Sequence, residues 1–153
     1  DSADATNDTD GDGLSNLQEY MAFSDPNNPD TDNDGLTDSQ EVNIHGTNPA
    51  RSDTDGDGTL DGADALPLDP AENIDTDGDG IGNNTDTDDD NDDMPDDYEI
   101  RMGFNPLNNS DASEDTDGDG FSNRSEFRAG SDPFDPGSVP QHRPMPWLPL
   151  LLN

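Results

Sequence analysis

Cysteine and lysine are absent from these 153 residues, and arginine occurs only five times. Without cysteine no disulfide can staple the chain. Apolar residues are scarce as well: 25% of the chain is hydrophobic and 5% aromatic, so a large apolar core is not available. Against the few bases stand 39 acids, giving a formal net charge of −34. Nucleic acids and anionic membrane surfaces repel such a chain. No stretch reaches the roughly 18–20 apolar residues that cross a bilayer. The sequence opens at Asp1 with neither an initiator methionine nor a signal-peptide pattern, which is expected of a processed product or a fragment. Composition of this kind is that of disordered chains, unless something other than an apolar core, such as bound metal ions, holds the fold.

What the chain has in abundance is one acidic pattern, Asp-x-Asp-x-Asp-Gly with a carboxylate at the twelfth position. It recurs in six loops: L1 (8–19), L2 (30–41), L3 (53–64), L4 (75–86), L5 (88–99) and L6 (115–126). The loop starts lie 22, 23, 22, 13 and 27 residues apart, a spacing that marks an array and not one globular domain. A calcium ion takes about six to eight oxygens, and a loop of this length supplies them from positions 1, 3, 5, 7, 9 and 12, with a sharp turn at position 6. Position 7 gives its backbone carbonyl. The side-chain ligands are then Asp8, Asp30, Asp53, Asp75, Asp88 and Asp115 at position 1 and Asp10, Asp32, Asp55, Asp77, Asp90 and Asp117 at position 3. Asp12, Asp34, Asp57, Asp79, Asp92 and Asp119 stand at position 5, and Asn16, Asp38, Asp61, Asn83, Asp96 and Asn123 at position 9. Position 12 is Glu19, Glu41, Asp64, Asp86, Glu99 and Glu126, so four of the six glutamates fall in one column. A random acidic tract would not sort Glu from Asp by register. Position 6 is Gly except for Asp93, which marks L5 as the least regular and weakest loop. Leu14, Leu36, Thr59, Ile81, Met94 and Phe121 occupy position 7, where the register predicts one small buried contact per repeat.

Capping residues place short helices inside the loops. Ser15 with Gln18 and Thr37 with Gln40 form two capping-box patterns, and Pro95 suits a first turn. Helices are expected over 16–23, 38–44, 95–102 and 123–128, each carrying its position-12 glutamate; Gly62 and Gly82 argue against helices in L3 and L4. Pro26, Pro49, Pro106 and Pro133 stop the chain between loops and stiffen the links. The division expected is a lead-in (1–7), a six-loop array (8–136) and a proline-rich apolar tail (137–153).

The loops and the Asn-Pro and Asp-Pro linkers over about residues 8–136 resemble the thrombospondin type 3 repeat, especially its bacterial, cysteine-free form. The resemblance implies a mostly irregular, linear array of calcium-binding loops with short helices, little or no sheet and no large hydrophobic core. It also implies a stalk or spacer role in a secreted or cell-surface protein, here bacterial. In contrast to an EF-hand, the apolar residue stands more often at position 7 than at position 8.

The reading of function is therefore a calcium-dependent structural spacer or fibre subunit, outside the cell or on its surface, folded by about six Ca²⁺ ions. Calcium supply favours that location, because loops of modest affinity fill only where free calcium is high. A calcium sensor or buffer, or the stalk of a larger adhesin or enzyme, is the alternative. The four methionines form no sensor-type stripe. An enzyme is not expected: the run 88–93 resembles a two-metal site, but the register assigns those residues to loops. His45 and His142 read as solvated side chains and Trp147 as a packing anchor. Four glycosylation sequons begin at Asn7, Asn83, Asn108 and Asn123, of which Asn108 is the best acceptor. The tail, 139–153, is the one sizeable apolar segment and is expected to join copies end to end.

Overall fold

A computed structural model of the chain describes residues 4–141. The structure is mostly irregular, with no strand among the described residues. The described residues fall into two compact units that divide between Asp86 and Thr87. The first holds L1 to L4, the second L5 and L6.

Helices form where the caps place them. α1 spans Asn16–Ala22, α2 spans Asp38–Gln40 and widens into a π turn over Glu41–His45, α3 spans Asp96–Met102 and α4 spans Asn123–Ala129. L3 has only a 3₁₀ turn, Asp61–Ala63, and a second such turn, Asp111–Ser113, lies in the linker after L5. Gln18 Oε1 accepts from the Ser15 amide and hydroxyl, and Gln40 Oε1 accepts from the Thr37 amide, so both caps form. Each helix ends on a left-handed residue, Phe23, Gly46, Gly103 or Gly130, well before the linker proline. The amide of that residue or the next donates to the carbonyl of Glu19, Glu41, Glu99 or Glu126. The position-12 glutamate thus sits mid-helix, and its own backbone closes the last turn. None of these helices is long enough to stand alone in water.

Apolar packing is sparse, as composition requires. In the second unit Met94, Tyr98 and Ala112 are buried, with Met102, Phe104 and Phe127 against them. Rings of Tyr98 and Phe127 lie 4.5 Å apart, and those of Phe104 and Phe134 5.4 Å apart. The expected buried contact at position 7 holds for Leu14 and Met94, whereas Ile81 and Phe121 are exposed. Ile81 and Phe121 belong to the last loop of their units, where no later loop of the same unit follows to cover them.

Candidate metal centres

Each loop is built by its own aspartates before any ion is considered. The position-1 carboxylate accepts from two backbone amides: Asp8 from Gly11 (2.7 Å) and Gly13 (3.2 Å), and likewise Asp53 from Gly56 and Gly58, Asp75 from Gly78 and Gly80, Asp115 from Gly118 and Gly120. Those amides hold the Asp75 carboxyl below its usual range, the Gly80 bond contributing most. The position-5 carboxylate accepts from the amide two residues on, at 2.6–2.9 Å in all six loops. A bond from the position-9 amide to the carbonyl before position 1 closes every loop, as Asn16 to Asn7 and Asn123 to Glu114 at 2.8 Å show. The turn requires left-handed backbone at position 4 as well as position 6. Gly11 (φ 83°) and Gly13 (φ 112°) take these places in L1, and Asn33, Asn91 and Asp93 show the non-glycine versions. The demand at position 4 was readable in the Asp-x-Asp-Gly-Asp-Gly string.

The position-1 acids spend both oxygens on these amides, Oδ1 on one and Oδ2 on the other, whereas most acids at positions 3 and 5 keep a buried oxygen that the loop does not use. Oδ2 of Asp10, Asp34, Asp55, Asp77, Asp92, Asp117 and Asp119 is buried without a hydrogen-bond partner, as are both oxygens of Asp32 and Asp90. The helices deliver position 12 to the same places. Glu19, Glu41, Glu99 and Glu126 are fully buried, and both carboxylate oxygens of Glu19, Glu99 and Glu126 lack a partner. Glu41 accepts one bond, from the Thr47 hydroxyl. Burial first, then the neighbouring aspartates, raises Glu19 to about 7 and Glu41 and Glu99 to about 8 from 4.5. An unpaired buried carboxylate is costly. The arginines in the described residues bond none of these oxygens: Arg124 and Arg128 pair with Asp93, Arg51 donates to the Asp53 carbonyl, and Arg101 lies over the Tyr98 ring. Converging hard oxygens with no protein cation fit a divalent ion of the calcium type. Ligand atoms of Asp8, Asp10 and Asp12 lie within 4.8 Å of one another, as do those of Asp30, Asp32 and Asp34, of Asp53, Asp55 and Asp57, and of Asp75, Asp77 and Asp79.

Position 9 bonds back within its own loop. Asp38 accepts from the amide and hydroxyl of Thr31 (2.9 and 2.8 Å), Asp61 from those of Thr54, and Asn83 and Asn123 accept from the amides of Thr76 and Thr116. In L1 the Thr9 hydroxyl donates to Asn16, and in L5 the Asp89 amide donates to Asp96. The side chain thereby ties the helix start to position 2, a role that register alone did not reveal. Asp61 also closes a cluster with Asp34 and Glu41 of the preceding loop, all three buried and within 4.8 Å. Loops pack closely enough for such sharing. The Ser39 amide donates to Asp12 Oδ2 at 2.8 Å, and a Cβ on Gly62 would stand 2.7 Å from the Asp34 carbonyl oxygen. Gly62 is thus required by the approach of L2, beyond its effect on helix propensity.

Asp93 is explained by its partners. It holds φ 73° in place of glycine because its carboxylate bonds Arg128 at 2.6 Å and Arg124 at 3.3 Å, joining L5 to α4. Two acids outside the twelve-residue register are buried as well, Glu72 and Asp111, each with one oxygen unpartnered. Both stand six residues after the first residue of a proline linker (Leu66 and Asn105). In the other linkers Thr31, Thr54 and Ser138 occupy that place and accept the linker amide through a hydroxyl.

No curated protein matches the chain. The family model for the bacterial TSP3 repeat matches three segments that carry L1, L2 and L6. L3 and L4, which end in Asp, and L5, which has Asp93 at position 6, lie outside those segments. The TSP3 repeat is a calcium-binding repeat of extracellular proteins with a structural and not an enzymatic character. The segments of this chain that match the bacterial TSP3 repeat are residues 8–29, 30–52 and 115–136.

Proposed function

We propose that this chain is a calcium-dependent structural spacer or fibre subunit of a secreted or cell-surface protein, folded by about six bound calcium ions. The observation that carries the reading is the set of fully buried position-12 glutamates, three of them with both oxygens unpartnered. Six divalent ions would bring the formal charge from −34 to −22, which relieves the self-repulsion that opposes compaction. At about 1 mM calcium and a dissociation constant of about 0.1 mM, each ion stabilises the fold by roughly 1.4 kcal/mol, or about 8 kcal/mol for six. That is a whole domain's stability. No helix among the described residues is long and apolar enough to cross a membrane. Circular dichroism and small-angle scattering with and without excess chelator test the reading: loss of helix and compactness is expected, and unchanged signals would overturn it.

Assembly through the tail belongs to the same proposal, although residues 142–153 lie outside those the structure describes. A groove of about 530 Å³ in the first unit, lined by Met21, Ala22, Phe23, Val42 and Pro49 among others, is an apolar acceptor for a second copy's tail. A tail-to-head contact is heterologous and propagates into a filament unless it closes into a ring. Deleting residues 139–153 should leave calcium binding intact and abolish fibres seen by electron microscopy. Fibres that survive the deletion would sink this part. Asn108, exposed in its linker, remains the proposed glycan acceptor, whereas Asn123 is fully buried.

A further inference from the structure

Asp111 belongs to no twelve-residue loop. It lies in the linker between L5 and L6, in the 3₁₀ turn Asp111–Ser113, and is 7% exposed. Its Oδ2 accepts from the Asn105 amide at 3.0 Å, while Oδ1 is buried with no partner. Two contacts press this linker onto L5 and a third ties it to L6. Ala112 packs with Met94 and Tyr98, the Asn108 amide lies at the Asp90 carboxylate, and Asn123 Nδ2 donates to the Asp111 carbonyl at 2.7 Å. The Asp111 charge is felt by Asp90, Asp92 and Glu99 together.

In the first unit an equivalent acid comes from position 9 of the following loop: Asp61 stands with Asp34 and Glu41, and the Asp38 charge acts on Glu19. In L6 position 9 is Asn123, a neutral side chain that bonds the Asp111 carbonyl. The carboxylate missing from that column is supplied by the linker. We infer that Asp111 is a ligand of the divalent cation held by L5, an inference that rests on the calcium-binding reading of the loops. With it, L5 and its linker offer six buried carboxylate oxygens: two each from Asp90 and Glu99, and one each from Asp92 and Asp111. Calcium takes about six to eight. L5 is then the best-furnished loop of the second unit, the reverse of its rank by sequence.

The test is calorimetric titration of the full chain with calcium, comparing Asp111→Asn with Asp97→Asn. Asn at 111 keeps an acceptor for the Asn105 amide, and Asp97 is an exposed acid on α3 whose loss makes the same change in charge. Asp111→Asn should weaken one site by about tenfold or more, since calcium affinity follows ligand charge. Asp97→Asn should leave every site within about twofold of the parent. Europium luminescence lifetimes in H₂O and D₂O on Asp111→Ala should report extra water on one bound ion. Equal titrations of the two Asn variants, with no added water in Asp111→Ala, would overturn the inference while the calcium reading stands. A parent chain that binds no calcium would overturn both.

Discussion

Replacing Glu41 by glutamine gives a result whose sign depends on calcium. Glu41 is fully buried, its Oε2 has no partner, and Asp34 and Asp61 stand within 4.8 Å of it. With calcium bound, the variant keeps the volume and the Thr47 bond but loses the charge that chelates. If affinity at L2 falls about a hundredfold from a dissociation constant near 0.1 mM, the site contributes almost nothing at about 1 mM calcium, a loss of roughly 1.4 kcal/mol. In chelator the same change removes a group that must either stay charged in a buried place beside Asp32 and Asp34 or take up a proton to fold. The calcium-free variant should therefore be more ordered than the parent. Gln40→Glu is the control: Gln40 is exposed and caps α2, and Glu caps there equally well, so its effect should stay within about 0.5 kcal/mol in both conditions. Urea unfolding at fixed calcium, repeated in chelator, reads both signs. Equal effects of the two substitutions, or a Glu41→Gln loss that is the same with and without calcium, would refute the reasoning and leave bulk charge as the binder.

Acidity should act in the opposite sense to ordinary acid denaturation. The folded, calcium-free values of about 7 for Glu19 and about 8 for Glu41 and Glu99 exceed the unfolded 4.5, so the stability these groups contribute is complete below about pH 4.5 and is lost as pH rises through 7–8. Circular dichroism in chelator should thus gain structure on acidification, and calcium affinity should fall between pH 8 and 6 as protons compete; loss of structure on acidification would contradict this. Gly62→Ala should cost roughly 1–3 kcal/mol in calcium-loaded protein, because its Cβ meets the Asp34 carbonyl oxygen, whereas Ala at a merely helix-poor glycine would stabilise; thermal unfolding decides. Asp93→Gly relieves a φ of 73° but removes two half-exposed ion pairs, so it should destabilise by less than about 1 kcal/mol at low salt and turn stabilising near 0.5 M salt. A loss independent of salt would mean that the pairs do not matter.

The parts of this molecule that were legible in sequence are those made within one loop. Registers at positions 1, 5 and 12, both capping boxes and the four helices depend on contacts spanning a dozen residues or fewer, and the helix ends differ from expectation by one residue or none. The exposures of Ile81 and Phe121, the closeness of Gly62 to Asp34 and the burial of Glu72 and Asp111 arise from how one stretch lies on another. A linker acid and a loop acid read alike when only local register is known. Asp93 read as a defect for the same reason, since Arg124 and Arg128 lie 31 and 35 residues away.

The choice between Glu and Asp at position 12 follows the backbone that carries it. L1, L2, L5 and L6 end in Glu, and a helical segment holds that residue in each. L3 ends in Asp64, and the 3₁₀ turn stops one residue before it, leaving Asp64 extended at φ −94° and ψ 126°. Its Oδ1 accepts from the Leu66 amide, while its carboxyl, raised chiefly by burial, still feels the charges of Asp57 and Asp55. The shorter side chain therefore reaches the acids of its own loop from an extended backbone. L4, with Gly82 at position 8 packed on the Glu72 side chain, has no helix and likewise ends in Asp. Arm length and helix are matched within each loop. The aspartates at positions 1 and 5 fix the loop through backbone amides, and in L1, L5 and L6 position 12 arrives on a helix with both oxygens unspent. The loop can form by local bonds alone; bringing position 12 into it buries a charge, and that step is the one a cation must stabilise.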